Sequence, residues 1–187
     1  MTQAELYKAI TSSYPIQTAL YPGCGDDFAP SRFIPYVAYL DSGPLAAEFF
    51  RDTASLTRQL DKEKIYQEPG SFNFYAVDYN QPPELPQFDL LISRYAGNVG
   101  QAMKQYQKPG GILLVTEGPD DAQLAMRDPD YELIGTVKEN GGSIGISPGV
   151  APREFMTIPQ SEGEEPFCCP IDRVFCFRKT TSERRGC

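Results

Sequence analysis

Residues 20–27 read Leu20-Tyr21-Pro22-Gly23-Cys24-Gly25-Asp26-Asp27, an apolar run that stops at a proline and two glycines set one residue apart. Residues 16–21 are short and apolar enough for a buried strand. The Pro-Gly-Cys-Gly that follows is turn chemistry, and its glycines let the backbone pass close to a ligand. Asp41 follows Gly25 by 16 residues, directly after a second apolar run at 37–40. That is near the spacing at which an acid beyond the next strand grips ribose hydroxyls. A nucleoside-containing cofactor is the expectation.

The same alternation continues on both sides of this stretch. Residues 4–13 predict a leading helix with Leu6, Ala9 and Ile10 on one face, ended by Pro15. After Asp41, Gly43 and Pro44 open a helix in which Leu45, Phe49, Thr53, Leu56 and Leu60 form one stripe, expected to lie on a sheet. A third strand is expected at 72–77, ending at Asp78, and a fourth at 88–93 beyond a proline-rich connection. Val99, Met103 and Tyr106 mark a helix, Lys108-Pro109-Gly110-Gly111 a turn, and 112–116 a fifth strand. A helix near 122–126 precedes two further strands, 131–137 and 173–177, which are expected to close the sheet as an antiparallel pair. Residues 139–172, rich in Gly, Pro and Glu, read as one long loop. The expected architecture is α/β: a three-layer sandwich with a mainly parallel, seven-stranded sheet and an antiparallel C-terminal strand, all in one domain spanning 1–187.

Composition narrows the chemistry. The chain has 187 residues and a net charge of −8, which disfavours a phosphate-tracking surface and so nucleic acid as partner. It contains no His, so imidazole serves neither as base nor as metal ligand. No apolar run is long enough for a membrane span and no signal-peptide pattern opens the chain, so the expectation is cytoplasmic. The five cysteines, an odd number without CxxC pairs, read as reduced thiols, with no metal site expected. Cys24 in particular reads as a small packing residue.

Charge also separates the candidate cofactors. A dinucleotide needs its pyrophosphate against the Gly23–Gly25 loop, but Asp26 and Asp27 stand there and Phe28 occupies the place of a third glycine. A carboxylate about 4 Å from a phosphate costs roughly 4 kcal/mol at an effective dielectric near 20, which undoes the benefit of a helix N-terminus. NAD and ATP are disfavoured. S-adenosylmethionine has no phosphate and carries a sulfonium charge, which tolerates acids.

At this point the chain resembles the class I S-adenosylmethionine-dependent methyltransferases, whose fold is Rossmann-like, over residues 16–179. The matching pieces are LYPGCGDD at 20–27, AYLDS at 38–42, FYAVDYNQPPELPQFDLLIS at 74–93 and KPGGILLVTEG at 108–118. The resemblance implies that Gly23, Cys24 and Gly25 lie under the methionine part of the cofactor and that Asp41, with Ser42 beside it, holds the ribose. It implies that Asp78, with Tyr79, meets the adenine. Ser93 would then border the cofactor, while Arg94 and Tyr95 would line the path to the methyl acceptor. Two positions depart from the family pattern: its usual acid at the head of the first motif is Tyr21 here, and Asp27 replaces a common glycine. Tyr21 is kept among the cofactor contacts, with Asp26 or Asp27 as helpers toward the methionine amino group. The helix after the first strand also reads as short, between Pro30 and Pro35.

The resulting expectation is a methyltransferase acting on a small molecule, with a homodimer as a compatible assembly. If the acceptor is a hydroxyl or thiol, an Asp, a Glu or a tyrosine such as Tyr95 takes its proton; the residues do not choose among them. Two rivals stand beside it: a lyase or cyclase that consumes the cofactor's own aminobutyrate arm, and a catalytically silent binding protein. Simpler readings also apply to single positions. Asp41-Ser42 is a helix-capping signal ahead of Pro44, and Asp78 suits a turn. Arg94 and Tyr95 suit a solvated arginine and a packed tyrosine. Cys168, Cys169 and Cys176 lack metal spacing, and the acidic run 162–165 is a solvated loop or a lid.

Overall fold

The computed structural model describes residues 1–94, 96–116, 121–140, 143–148 and 174–180. The leading helix forms as α1, Gln3–Ser13. Thr2 and Glu5 close a capping box at its N-terminus, and Leu6, Tyr7 and Ile10 make its buried face. Strands β1 (Thr18–Pro22) and β2 (Tyr36–Leu40) follow, joined only by a 3-10 turn at Ala29–Arg32. Pro30 lies within that turn and Pro35 stands just beyond it, in line with the short connection expected there.

The single helix expected after Asp41 is two helices, α2 (Pro44–Phe49) and α3 (Thr53–Glu63). Asp52 accepts the Ser55 N–H at 2.9 Å and restarts the helix as an N-cap. This break sets the two halves at different phases. Leu56 and Leu60 are buried as expected, but Leu45 is 82% exposed and does not lie on the sheet. Strand β3 (Ser71–Tyr75) ends two residues earlier than expected, and β4 (Phe88–Ser93) occupies its expected range. A short α4 (Val99–Ala102) leads through a 3-10 turn to β5, Gln107–Thr116. The Lys108–Gly111 turn is thus drawn into β5 as an irregular start, with Gly110 at φ +78° and a register shift opposite Phe88 and Leu90. Helix α5 (Asp121–Arg127) precedes β6 (Tyr131–Asn140), β7 (Ser143–Pro148) and β8 (Val174–Lys179).

The strands form one sheet in the order β3-β2-β1-β4-β5-β8-β6-β7. The first five are parallel neighbours, and β8 runs antiparallel to both β5 and β6. The sheet therefore has eight strands rather than seven. The extra one is β7, which pairs antiparallel with β6; it lies inside the stretch read as a loop, where its Ser-Ile-Gly-Ile-Ser-Pro sequence holds only two large apolar residues and does not stand out as a strand. Residues 139–140 of that stretch end β6, and the rest apart from β7, including the acidic run and Cys168-Cys169, lies outside the described residues.

Alternation along the strands divides the core. Ala19 and Tyr21, Val37 and Tyr39, Leu90 and Ile92, Ile112 and Leu114 face one layer, packed by α1, α3 and the 3-10 turn. Leu20, Leu40, Leu91, Leu113, Phe175 and Phe177 face the other, beneath α4 and α5. Where the connection after β1 is short, aromatic rings fill the space: Phe28 meets Phe72 at 4.9 Å and Phe50 stacks on Phe74 at 4.5 Å. At the other end of the sheet, Asp89 on β4 accepts the amides of Gln17 and Thr18, each at 3.0 Å, and pairs with Lys108 at 2.8 Å. That clamp holds β1 beside β4. No helix of the described residues is long and apolar enough to cross a membrane.

Candidate functional site

The site is built from chain segments leaving the carboxyl ends of β1, β2, β3 and β4, where open α/β sheets bind ligands. Strand β1 ends at Pro22, and the Gly23 N–H donates to the Leu40 carbonyl at 2.7 Å, tying the loop to the end of β2. Gly23 and Gly25 both lie in the left-handed region, at φ +64° and +55°, which costs L residues about 1–2 kcal/mol each. They differ in surroundings. A Cβ on Gly23 would stand 2.5 Å from the Ala96 Cβ, whereas one on Gly25 would meet nothing within 4 Å. Gly23 is thus demanded by packing against the chain beyond β4, and Gly25 opens onto free space.

Asp41 joins these pieces. Its Oδ2 accepts the Gly25 N–H at 2.8 Å and its Oδ1 accepts the Gly43 N–H at 2.7 Å. The capping reading of Asp41 therefore fails, because the N-cap of α2 is Gly43, which takes no side-chain cap bond, and the Asp41–Gly43 contact is an Asx turn instead; each carboxylate oxygen retains a lone pair after one bond. Cys24 sits beneath, 3% exposed. Burial first, and then the charge of Asp41, pushes its thiol far above the ordinary range, so it is a packing residue and not a thiolate nucleophile. Ser42 is exposed at the loop surface.

Tyr21, which stands where an acid was expected, is fully buried and donates its hydroxyl to Asp27 Oδ2 at 3.1 Å. Tyr7 from α1 and Arg94 from the end of β4 reach the same oxygen, each at 3.1 Å, while Asp27 Oδ1 accepts the Ala29 N–H at 3.1 Å. Burial, reinforced by Asp27, pushes the Tyr7 phenol well up; burial followed by Tyr7 and Asp27 does the same to Tyr21. Both phenols thus remain donors at any physiological pH. Arg94 is 4% exposed, so the solvated-arginine reading fails. Its charge also corrects the electrostatic case against phosphates: Asp27 is neutralised by a buried partner, and that argument rests on Asp26 alone.

Other expected residues are dispersed along the rim. Asp78 lies three positions beyond β3, and its Oδ1 accepts the Asn80 N–H at 2.8 Å in an Asx turn. Tyr79 donates its hydroxyl to the Gly97 carbonyl at 3.0 Å, linking the β3 and β4 loops. Ser93 is buried and donates its hydroxyl to Asp121. The Asp121 carboxylate also receives the Gly100 N–H, at 3.0 and 3.1 Å to its two oxygens. Tyr95 lies outside the described residues. Sequence reading missed Tyr7 and Asp121. Each stands in a helix segment whose pattern marks it only as core or cap, and no local signal announces a partner 20 or more positions away.

A cleft of about 390 Å³ adjoins the loop, lined on its polar side by Gln3, Asp26, Asp27 and Arg32 and on its apolar side by Phe28 and Phe49. It shares the Asp26-Asp27 corner with the loop after β1, but neither Gly23, Asp41 nor Asp78 borders it. No group of three or more metal-ligating side chains occurs among the described residues.

No family model and no curated protein matches the sequence. Solved structures do match the fold. The N-methyltransferase NodS from Bradyrhizobium japonicum WM9 aligns with a TM-score of 0.57 at 14% identity, covering 94% of this chain and 93% of that one. A methyltransferase from Geobacter sulfurreducens aligns with a TM-score of 0.57 at 13% identity, over 97% of this chain and 80% of its own. The O-methyltransferase TomG from Streptomyces achromogenes, crystallised with S-adenosylmethionine, aligns with a TM-score of 0.55 at 12% identity, over 96% and 80%. The chain has the Rossmann-like fold of the class I S-adenosylmethionine-dependent methyltransferases.

Proposed function

We propose that this protein is an S-adenosylmethionine-dependent methyltransferase acting on a small molecule. The observation that carries the reading is the Asp41 carboxylate bound to the Gly25 N–H at 2.8 Å, in a loop whose second glycine faces open space. That arrangement fits a nucleoside with an aliphatic arm: the backbone of Gly23–Gly25 would hold the arm, and the remaining lone pairs of Asp41 would accept the ribose diol. Asp78 keeps its second oxygen for the adenine amino group, with Tyr79 bracing the loop.

When bound, the cofactor supplies a sulfonium-activated methyl group for in-line displacement. The chain's own contribution is alignment and exclusion of water. Arg94 and Ser93, committed to Asp27 and Asp121, hold the end of β4 rigid beside the transfer path. With no histidine in the chain, the acceptor's proton leaves to a carboxylate, a phenol or water. The test is calorimetric titration with S-adenosylhomocysteine, followed by product analysis with and without candidate acceptors. Binding plus acceptor-dependent methylation supports the reading. Turnover of S-adenosylmethionine without acceptor transfers it to lyase or cyclase chemistry, and absence of binding removes it.

A further inference from the structure

The loop after β1 is anchored by a segment that precedes the sheet. Tyr7, in the middle of α1, is fully buried, and its hydroxyl donates to Asp27 Oδ2 at 3.1 Å. Asp27 is in turn part of the loop's backbone geometry. Its N–H donates to the Cys24 carbonyl at 3.0 Å, closing a turn over Gly25 and Asp26, and its Oδ1 accepts the Ala29 N–H at 3.1 Å. The Gly25 N–H inside that turn is held separately, by Asp41 at 2.8 Å. The turn is therefore fixed at two points, one reached from the end of β2 and the other from α1, β1 and β4.

Packing alone does not call for a tyrosine at position 7. Phenylalanine would fill the same space beside Leu6 and Ile10, and a buried hydroxyl is costly unless it is hydrogen-bonded. What the hydroxyl adds is a tie to Asp27. Burial, reinforced by Asp27, keeps the phenol protonated, so the tie persists across the physiological pH range. Tyr21 and Arg94 reach the same carboxylate from within the sheet. Tyr7 reaches it from a helix, and so joins the docking of α1 to the position of the glycine loop. Gln3, one turn earlier on α1, lines the adjoining cleft together with Asp26 and Asp27. One stripe of the helix thus borders the cleft and reaches the carboxylate beneath it.

We propose that Tyr7 is a positioning residue: acting through Asp27, it sets the Gly25 turn and makes α1 part of the machinery of the site without touching the ligand. The consequence for ligand binding rests on the cofactor reading above; the effect on the loop does not.

The test compares two conservative changes on the same helix face. Tyr7→Phe removes the hydroxyl and keeps the ring, whereas Ile10→Val thins the packing of α1 and removes no hydrogen bond. Nuclear magnetic resonance follows the Asp27 carboxyl carbon and the Gly25 amide, and calorimetry measures S-adenosylhomocysteine binding to each folded protein. Tyr7→Phe is expected to move both resonances and to weaken binding about three- to tenfold, the net range of one hydrogen bond. Ile10→Val is expected to leave both resonances and the affinity at the parent values. Unmoved resonances or an unchanged affinity in Tyr7→Phe overturns the proposal. Comparable changes in Ile10→Val also overturn it, because loosening of α1 would then suffice. Failure of the parent chain to bind S-adenosylhomocysteine overturns the cofactor reading instead, and the resonances still decide whether Tyr7 sets the loop.

Discussion

Arg94 and Asp27, 67 positions apart in the chain, meet as a buried ion pair at 3.1 Å. The pair joins the end of β4 to the loop after β1, and the phenols of Tyr7 and Tyr21 complete the carboxylate's shell. A buried charge without its partner is costly, whereas a satisfied pair is close to neutral. Arg94→Met is therefore expected to lower stability by about 3–5 kcal/mol, with Arg94→Met/Asp27→Asn costing less than the sum of the two single changes. Urea denaturation of the three variants measures this. A loss below about 1 kcal/mol for Arg94→Met, the range of exposed pairs, contradicts the buried geometry.

Asp41 offers both carboxylate oxygens to loop amides and to the proposed ribose. Its replacement by alanine should weaken S-adenosylhomocysteine binding by about 1–3 kcal/mol, seen by calorimetry. An unchanged affinity takes Asp41 out of the ribose role.

The two glycines of the loop should respond differently to alanine. Both changes carry left-handed strain of about 1–2 kcal/mol, but only at Gly23 does the new methyl collide, with the Ala96 Cβ 2.5 Å away. Gly23→Ala is expected to be the less stable protein in thermal denaturation. Gly25→Ala is expected to stay folded and to lose cofactor affinity, because its methyl enters the space assigned to the ligand. Full S-adenosylhomocysteine affinity in a folded Gly25→Ala protein would place the ligand elsewhere.

Alkaline pH should destabilise the fold. Burial raises the Cys176 thiol from 9.0 to about 12, and burial also raises Cys24, Tyr7 and Tyr21. A group whose folded value is raised contributes stability that is whole below its unfolded value and lost as pH rises through the folded one. For Cys176 that window runs from about pH 9 to about 12. The urea midpoint should fall steadily from pH 8 to pH 11; a flat profile contradicts the burial of these groups. Below pH 8, alkylation mapped by mass spectrometry should leave Cys24 and Cys176 unmodified until the chain unfolds.

Local patterning settled much of this molecule. Runs of alternating or continuous apolar residues located seven strands because burial on a sheet face imposes a short-range period. The Pro-Gly-Cys-Gly turn and the acid after the second run marked the loop where β1 ends and Asp41 meets it, because left-handed backbone demands particular residue types within a few positions. β7 escaped because it is an edge strand of mixed polarity, and the break between α2 and α3 because the Asp52 cap interrupts an otherwise plausible stripe.

What tertiary structure alone decided is which of several adjacent acids is available. Asp26 and Asp27 are identical side chains on neighbouring residues, and nothing local distinguishes them. Their fates diverge because Arg94, Tyr7 and Tyr21 converge on one of them from β4, α1 and β1. Those contacts depend on strand order and helix docking. Electrostatic partnership acts through space, so the chemistry of this corner became readable only once distant segments were folded together.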